Sequence, residues 1–121
     1  MGGEVGPILL IEDDPGIRGV VRMTLEDEGY AVVEATDGAA ALELARRHGP
    51  SLILLDMRMP GLNGWQFAES YRALPGAHAP IVVLTAGQDA AGRAAEVGAD
   101  DYLDKPFELD ELVAVVSRHL V

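Results

Sequence analysis

The sequence predicts a doubly wound α/β sandwich of three layers, in which a five-stranded parallel sheet lies between two layers of helices. Two observations predict this fold. Short runs rich in Ile, Val and Leu alternate with longer helix-patterned stretches along the 121 residues, and turn residues bound each run. Such runs are typical of buried parallel strands. Right-handed crossovers between the strands then place helices on both faces of the sheet.

The first strand is predicted at residues 8–11, and a helix follows it. Pro15 suits the first helical turn, and Asp14 suits the N-cap position before it. The helix carries one apolar stripe and should end before Gly29. The members of that stripe are Ile17, Val20, Val21, Met23, Thr24 and Leu25.

The second strand is predicted at residues 30–35 and the third at 52–56, with a helix between them. Asp37 can cap this helix. Its last turn holds Arg46, Arg47 and His48, cations that suit the negative end of a helix dipole.

The third helix should open at Asn63, after a turn at Pro60 and Gly61. The fourth strand is predicted at 81–85, the fifth at 101–103 and the last helix at 109–120. Between these strands, residues 89–97 predict a weak helix, because Gly92 interrupts an Ala-rich stretch with little large apolar surface. This helix is either a mobile element or one that Ala allows to lie close to the sheet.

Composition excludes several classes of function. A formal net charge of −11 would repel nucleic acid and anionic membranes, so no direct nucleic-acid binding is expected. Cys is absent, and no apolar run approaches the roughly 18 residues that span a bilayer. We therefore expect a cytoplasmic protein without membrane insertion.

The length suits a single domain. We expect residues 1–7 to form a flexible N-terminal segment and residues 8–121 to form this domain. No attached second domain is expected, although the chain could also be a fragment of a larger protein.

Polar residues follow four of the apolar runs, at the points where the strands should end. The carboxyl ends of parallel strands share one edge of the sheet, where ligands bind. The residues expected to converge there are Glu12, Asp13, Asp56, Thr85 and Lys105. Adjacent carboxylates repel one another unless a cation offsets their charge. Mg²⁺ is the expected cation, with Asp13 and Asp56 as direct ligands and Glu12 acting through water.

Lys105 is the single lysine of the chain, whereas the other eight cationic residues of the Lys and Arg type are arginines. Either this position needs the compact point charge of an ammonium, or the choice of lysine is chance. Lys105 could pair with Asp56 and later with a bound phosphate. The Lys105–Pro106 bond could be cis or trans. A carboxylate, a hard cation, a hydroxyl and an ammonium together form a phosphoryl-transfer site, with Asp56 as the nucleophile and Thr85 and Lys105 stabilising charge.

Four separated segments, in this order, are similar to the receiver domain of two-component response regulators. They are ILLIEDDP at 8–15, LLDMRMPGLNG at 54–64, LTA at 84–86 and GADDYLDKPF at 98–107. The resemblance covers nearly the whole chain and implies the flavodoxin-like version of the predicted fold.

The resemblance implies that Asp56 accepts a phosphoryl group from a phosphohistidine on a sensor histidine kinase or a histidine phosphotransfer protein. It implies Glu12, Asp13, Asp56 and the backbone carbonyl of Arg58 as the Mg²⁺ shell. It places Thr85 and Lys105 on the phosphate, and Thr85 and Tyr102 as the switch that changes the partner-binding surface.

Such a domain catalyses its own phosphorylation and dephosphorylation and acts mainly as a signalling switch. The downstream protein, and whether a homodimer forms, are left open. The interval from Thr85 to Lys105 is shorter than in many members, which leaves the length and orientation of the fourth helix open.

Three alternatives are weighed against this interpretation. A receiver-like module could bind partners independently of phosphorylation, but the full set of site residues disfavours it. A phosphatase of the haloacid dehalogenase type would need a carboxylate where Arg58 stands. A flavin binder would need a phosphate cradle after the first strand, where Glu12, Asp13 and Asp14 would repel the phosphate.

Overall fold

Five strands and five helices alternate along the part of the chain that the computed structural model describes, residues 6–57, 63–76, 78–86 and 90–120. The strands are β1 (Ile8–Ile11), β2 (Val32–Ala35), β3 (Leu52–Asp56), β4 (Ile81–Ala86) and β5 (Asp101–Lys105). The helices are α1 (Pro15–Asp27), α2 (Gly38–His48), α3 (Gly64–Ala73), α4 (Ala90–Val97) and α5 (Leu109–His119). The predicted order of elements is confirmed.

The strands form one parallel sheet in the order β2-β1-β3-β4-β5, so the predicted doubly wound fold is confirmed. Ile11 lies opposite Leu55, and Thr85 lies opposite Asp104. This register brings the carboxyl ends of β1, β3, β4 and β5 to one edge of the sheet. The residues at those ends therefore become neighbours although they are far apart in sequence.

The core has two parts, one on each face of the sheet. Leu9 and Ile11 point into the part that α2, α3 and α4 cover, whereas Ile8 and Leu10 point into the part that α1 and α5 cover. All four are buried, which is why the strands read as continuous apolar runs. Burial on both faces leaves little freedom for the strand ends.

Local capping fixes where the helices begin. The Asp14 carboxylate accepts hydrogen bonds from the amides of Gly16 and Ile17. Asp37 accepts one from Ala40. Asn63 and Gln66 form a reciprocal capping box at the start of α3. All three predicted N-caps are confirmed.

Three predicted strand limits were wrong, and the last helix ends at His119 rather than at 120. β4 continues to Ala86 rather than ending at 85, because Ala86 still pairs with Lys105 of β5. β2 begins at Val32 rather than at residue 30, because the Tyr30 amide donates to the Leu25 carbonyl at the end of α1 instead of entering the sheet. β5 continues to Lys105 rather than ending at 103, because its last residues still pair with β4.

The predicted stripe of α1 was too wide. Val21 and Leu25 are buried, but Val20 is 49% exposed and Met23 67% exposed. Residues 17, 21 and 25 repeat every four positions and lie on one face, whereas Val20 and Met23 are rotated out of it. Two large apolar side chains are therefore left on the surface.

Side chains of α3 hold α4 in place. Trp65 donates its indole N–H to Glu96 at 3.1 Å. Arg72 donates to the carbonyls of Val97 and Gly98, the latter at 2.8 Å, where α4 ends. The last carbonyls of α4 thus receive their donors from a neighbouring helix. The predicted start of α4 at residue 89 lies outside the described residues.

The start of the described chain is tied to the loop before β3. The Ser51 hydroxyl donates to the Gly6 carbonyl at 2.6 Å, and the Ser51 amide donates to the Pro7 carbonyl at 3.0 Å. Residues 1–5 of the segment expected to be flexible lie outside the described part. Each helix within the described ranges is too short or too polar to cross a membrane.

Candidate functional site

Three carboxylates meet at the carboxyl edge of the sheet. Glu12 and Asp13 directly follow β1, and Asp56 is the last residue of β3. Each offers one oxygen, and these oxygens lie within 4.8 Å of one another. Glu12 is fully buried and Asp56 is 4% exposed, whereas Asp13 is exposed. The predicted convergence of these three residues is therefore found in the structure.

Lys105 ends β5 and enters the same cluster. Its Nζ lies 2.7 Å from Glu12 Oε1 and 3.7 Å from Asp56 Oδ1. The expected pairing with Asp56 is present, but Glu12 is the nearer partner. The side chain of Lys105 is 15% exposed, so this ion pair is mostly shielded from water. The Lys105–Pro106 bond is cis.

The charge of the cluster is not balanced by the described residues. Glu12 Oε2 accepts a hydrogen bond from the Asp14 amide at 3.2 Å. Glu12 Oε1 receives no hydrogen bond of suitable geometry, and its contact with Lys105 is an ion pair. Among the described residues, one ammonium thus pairs with two of the three carboxylates in the cluster. A set of oxygen donors with this excess of negative charge fits a hard divalent cation such as Mg²⁺.

Thr85 and Tyr102 lie on the neighbouring strands β4 and β5. Thr85 is 3% exposed and stands next to the last residue of β4. Tyr102 is 39% exposed and lies opposite Val83, two residues before the Thr85 position. The two residues therefore differ sharply in their exposure. Arg58, predicted as a carbonyl ligand, lies outside the described residues.

Close packing connects Asp56 to the start of α3. Met57, the residue after Asp56, is buried against Gly64. A Cβ at Gly64 would lie 2.9 Å from the Met57 Cα, a distance that side chains do not tolerate. Glycine at this position therefore lets the chain after the nucleophile candidate lie against α3, a role that the sequence analysis missed.

Arg18 is a further residue that the sequence analysis missed. From the second turn of α1 its guanidinium donates to the Glu12 carbonyl at 3.0 Å and to the Asp13 carbonyl at 3.4 Å. A basic residue near the positive end of a helix dipole is not favoured by that dipole. Its presence near the N-terminus of the helix was a signal that could have pointed to a specific contact.

Another charged cluster lies at the opposite end of β5. Asp101 Oδ2 accepts hydrogen bonds from Arg118 and His119 of α5, and Oδ1 accepts one from the Tyr102 amide. Burial by itself would raise the pKa of Asp101. The hydrogen bonds from Tyr102 and His119 and the charges of Arg118 and His119 outweigh it, and the pKa lies below its ordinary value.

The comparisons with known proteins agree with this geometry. The family model described as the response regulator receiver domain matches residues 8–117. The response regulator MprA of Mycobacterium leprae is 43% identical over 115 residues, which cover 93% of this chain and 50% of that protein. The transcriptional regulatory protein KdpE of Mycobacterium tuberculosis is 38% identical over 88% of this chain and 47% of its own length. The chain thus spans about half the length of these curated relatives.

Solved structures are similar over nearly the whole fold. The receiver domain of the sensor histidine kinase PA1611 from Pseudomonas aeruginosa, whose structure has a magnesium ion coordinated in the active site cleft, is 35% identical. It matches with a TM-score of 0.87 over 97% of this chain and 98% of its own. The chemotaxis protein CheY4 of Vibrio cholerae is 30% identical, with a TM-score of 0.80 over 95% of this chain and 98% of its own.

Proposed function

The chain belongs to the response regulator receiver domain family of two-component systems, and from that premise we propose that Asp56 is its phosphoryl acceptor. One observation carries this proposal. Asp56 is a nearly buried carboxylate at a strand end, within 4.8 Å of two further carboxylates and 3.7 Å from an ammonium. The proposed domain is residues 8–121, and the family match covers residues 8–117 of it.

Mg²⁺ is the proposed cofactor. Glu12, Asp13 and Asp56 supply the oxygen donors, and the backbone carbonyl of Arg58 is the fourth protein ligand that we propose. The cation would neutralise charge on the phosphoryl oxygens. The magnesium ion in the PA1611 receiver domain supports this assignment.

In the proposed reaction, a carboxylate oxygen of Asp56 attacks the phosphorus of a phosphohistidine. The phosphorus–nitrogen bond breaks, the imidazole of the donor leaves, and an acyl phosphate forms on Asp56. The ammonium group of Lys105 exchanges its carboxylate partners for a phosphoryl oxygen, and the Thr85 hydroxyl donates a hydrogen bond to another phosphoryl oxygen. The mostly shielded position of Lys105 strengthens its attraction to the phosphate.

The donor that we propose is a histidine kinase or a histidine phosphotransfer protein. An apolar groove of about 430 Å³ opens beside the site, with Lys105, Ile17, Val20 and Phe107 among its lining residues. The exposed Met23 lies on the same helix as Val20. Apolar surface next to a reactive site is typical of a surface that contacts another protein.

The output that we propose is a change of surface shape. Phosphorylation would draw Thr85 toward the phosphoryl group and allow Tyr102 to turn inward, which stabilises a conformation that the protein already samples. The receiver would then bind its downstream protein differently. The comparisons do not support the phosphorylation-independent alternative.

The experiment is intact mass spectrometry after incubation with acetyl phosphate, with and without Mg²⁺. The parent protein should gain a single phosphate adduct that depends on Mg²⁺, and Asp56→Asn should gain none. Asp104→Asn is the matched control, because Asp104 lies at the same end of the sheet but is exposed and outside the carboxylate cluster. It should be phosphorylated as the parent is. A folded parent that binds Mg²⁺ and forms no adduct would refute the proposal.

A further inference from the structure

Arg18 connects α1 to the turn that carries the acidic pair. Its Nη1 donates to the carbonyls of Glu12 and Asp13, at 3.0 and 3.4 Å, and its Nε lies 3.6 Å from Glu34 Oε2 on β2. The side chain is 21% exposed. A single planar guanidinium therefore contacts the turn and the neighbouring strand at once.

The turn needs such a contact because it carries adjacent carboxylates. Glu12 and Asp13 repel each other and Asp56, and this repulsion favours a more open arrangement of the turn. The Glu12 amide is held by the Ala35 carbonyl at 3.2 Å. The carbonyl groups of the turn are held by Arg18. The backbone of the turn is thus fixed from both sides while its carboxylates face the site.

Glu34 also forms an ion pair with the Arg18 guanidinium. Its second oxygen accepts from Arg22 at 2.7 Å, so one carboxylate holds two arginines of α1. Arg22 also pairs with Glu26 at 3.0 Å. Arg22 shares the helix and the acidic partner of Arg18, but its contacts are to Glu26 and Glu34 and not to the turn.

We propose that Arg18 is a positioning residue that holds the turn at residues 12–13 in the geometry that binds the divalent cation. This inference rests on the proposed function, since it concerns the same site. Arg18 is not among the residues that we propose to hold the cation or the phosphoryl group. It acts by keeping the carboxylates of Glu12 and Asp13 within reach of Asp56, so that binding does not have to order the turn.

The test is the Mg²⁺ dissociation constant, measured by isothermal titration calorimetry without any phosphodonor. Arg18→Ala should weaken Mg²⁺ binding about tenfold, the lower end of the effect typical of residues that orient metal ligands. Arg18→Lys should fall between Arg18→Ala and the parent, because an ammonium has a single nitrogen and cannot contact the turn carbonyls and Glu34 from two separate nitrogens as the guanidinium does. Arg22→Ala should bind Mg²⁺ as the parent does.

Glu34→Gln tests the ion pair between Arg18 and Glu34 separately from the contact between Arg18 and the turn. This variant removes the charge that both arginines share and leaves the carbonyl contacts of Arg18 in place, so it should bind Mg²⁺ within threefold of the parent. A loss in Glu34→Gln as large as that in Arg18→Ala would overturn the inference. If Arg18→Ala does not fold, the ranking of Arg18→Lys, Arg22→Ala and the parent decides the matter.

The possible failures are distinguishable. A parent that forms no Mg²⁺-dependent phosphate adduct would overturn the proposed function together with this inference. A parent that binds Mg²⁺ and is phosphorylated, with Arg18→Ala binding Mg²⁺ equally well, would overturn the inference alone.

Discussion

Two regions of the molecule are built in opposite ways. The acidic corner is formed by Glu12, Asp13, Asp56 and Lys105. All of these except Asp13 are mostly shielded, and Lys105 forms ion pairs with Glu12 and Asp56. The response face, formed by α4 and Tyr102, has an exposed aromatic ring and a helix of eight residues. The proposed reaction geometry thus lies in the shielded region, and the proposed conformational change lies in the region with the exposed ring and the short helix.

Within the part of α4 whose side chains the structure describes, the anchoring of the response face depends on few side chains. Among the described side chains of α4, Ala94 and Val97 are buried and belong to the core. Further attachment comes from Trp65 and Arg72 of α3, through polar contacts. Small apolar surface and a few polar contacts give a low local stability, which is typical of elements that move.

The largest effect is expected in the acidic corner. Lys105→Met should lower the free energy of unfolding by about 3 kcal/mol in the absence of Mg²⁺, because it leaves Glu12 buried without its ionic partner. Added Mg²⁺ should restore part of the loss. Urea unfolding with and without Mg²⁺ measures both effects.

Arg46→Met is the control for Lys105→Met. It removes an ion pair with Glu43 in which both side chains are more than half exposed. Such pairs contribute little, and about 0.5 kcal/mol or less is expected. Equal losses in the two variants would contradict the contrast between a shielded corner and an ordinary surface.

A smaller effect is expected where α3 holds α4. Arg72→Ala should cost about 1 kcal/mol, because the carbonyls that end α4 lose charged donors. Amide hydrogen exchange should accelerate in α4 and remain unchanged in β1 and β3. Arg47→Ala, at an exposed position of α2, should leave the exchange in α4 unchanged. Exchange that accelerates evenly across the sheet would show that Arg72 does not act locally.

The smallest effect is expected at the far end of β5. The folded-state pKa of Asp101 lies below its ordinary value of 3.8, so the unfolded state binds more protons as the pH falls. The stabilisation by Asp101 should be complete above this ordinary value and lost as the pH falls through the lower folded-state pKa. Asp101→Asn should cost on the order of 0.5 kcal/mol at neutral pH.

The measurement for Asp101 is the stability difference between the parent and Asp101→Asn, followed from neutral pH to about pH 3. The difference should shrink below the ordinary pKa of the carboxyl group. A difference that stays constant over this range would mean that the Asp101 pKa is not lowered on folding.

The sequence predicted the fold and the convergence of the site because both depend on local signals. Strand ends are marked by a change from apolar to polar residues, and parallel strands necessarily share their carboxyl edge. Asp56 and Lys105 could thus be assigned to one site without knowledge of any contact.

Contacts between elements that are distant in sequence could be predicted less well from the sequence. Lys105 lies nearer to Glu12 than to Asp56, and this depends on the stagger between strands rather than on either motif. The hydrogen bond from Arg72 to the Gly98 carbonyl at the end of α4 depends on which helices are neighbours. The exposure of Met23 depends on the rotation of α1, which apolar composition alone does not determine.

The single lysine of the chain also makes the acidic corner chemically addressable. Apart from the main-chain amino terminus, Lys105 carries the only primary amine among the nine basic side chains of the Lys and Arg type. Reductive methylation with ¹³C-formaldehyde would therefore label one side chain, and that label would lie beside Glu12 and Asp56. Its methyl resonance would report the charge state of the site directly, without any change to the sequence.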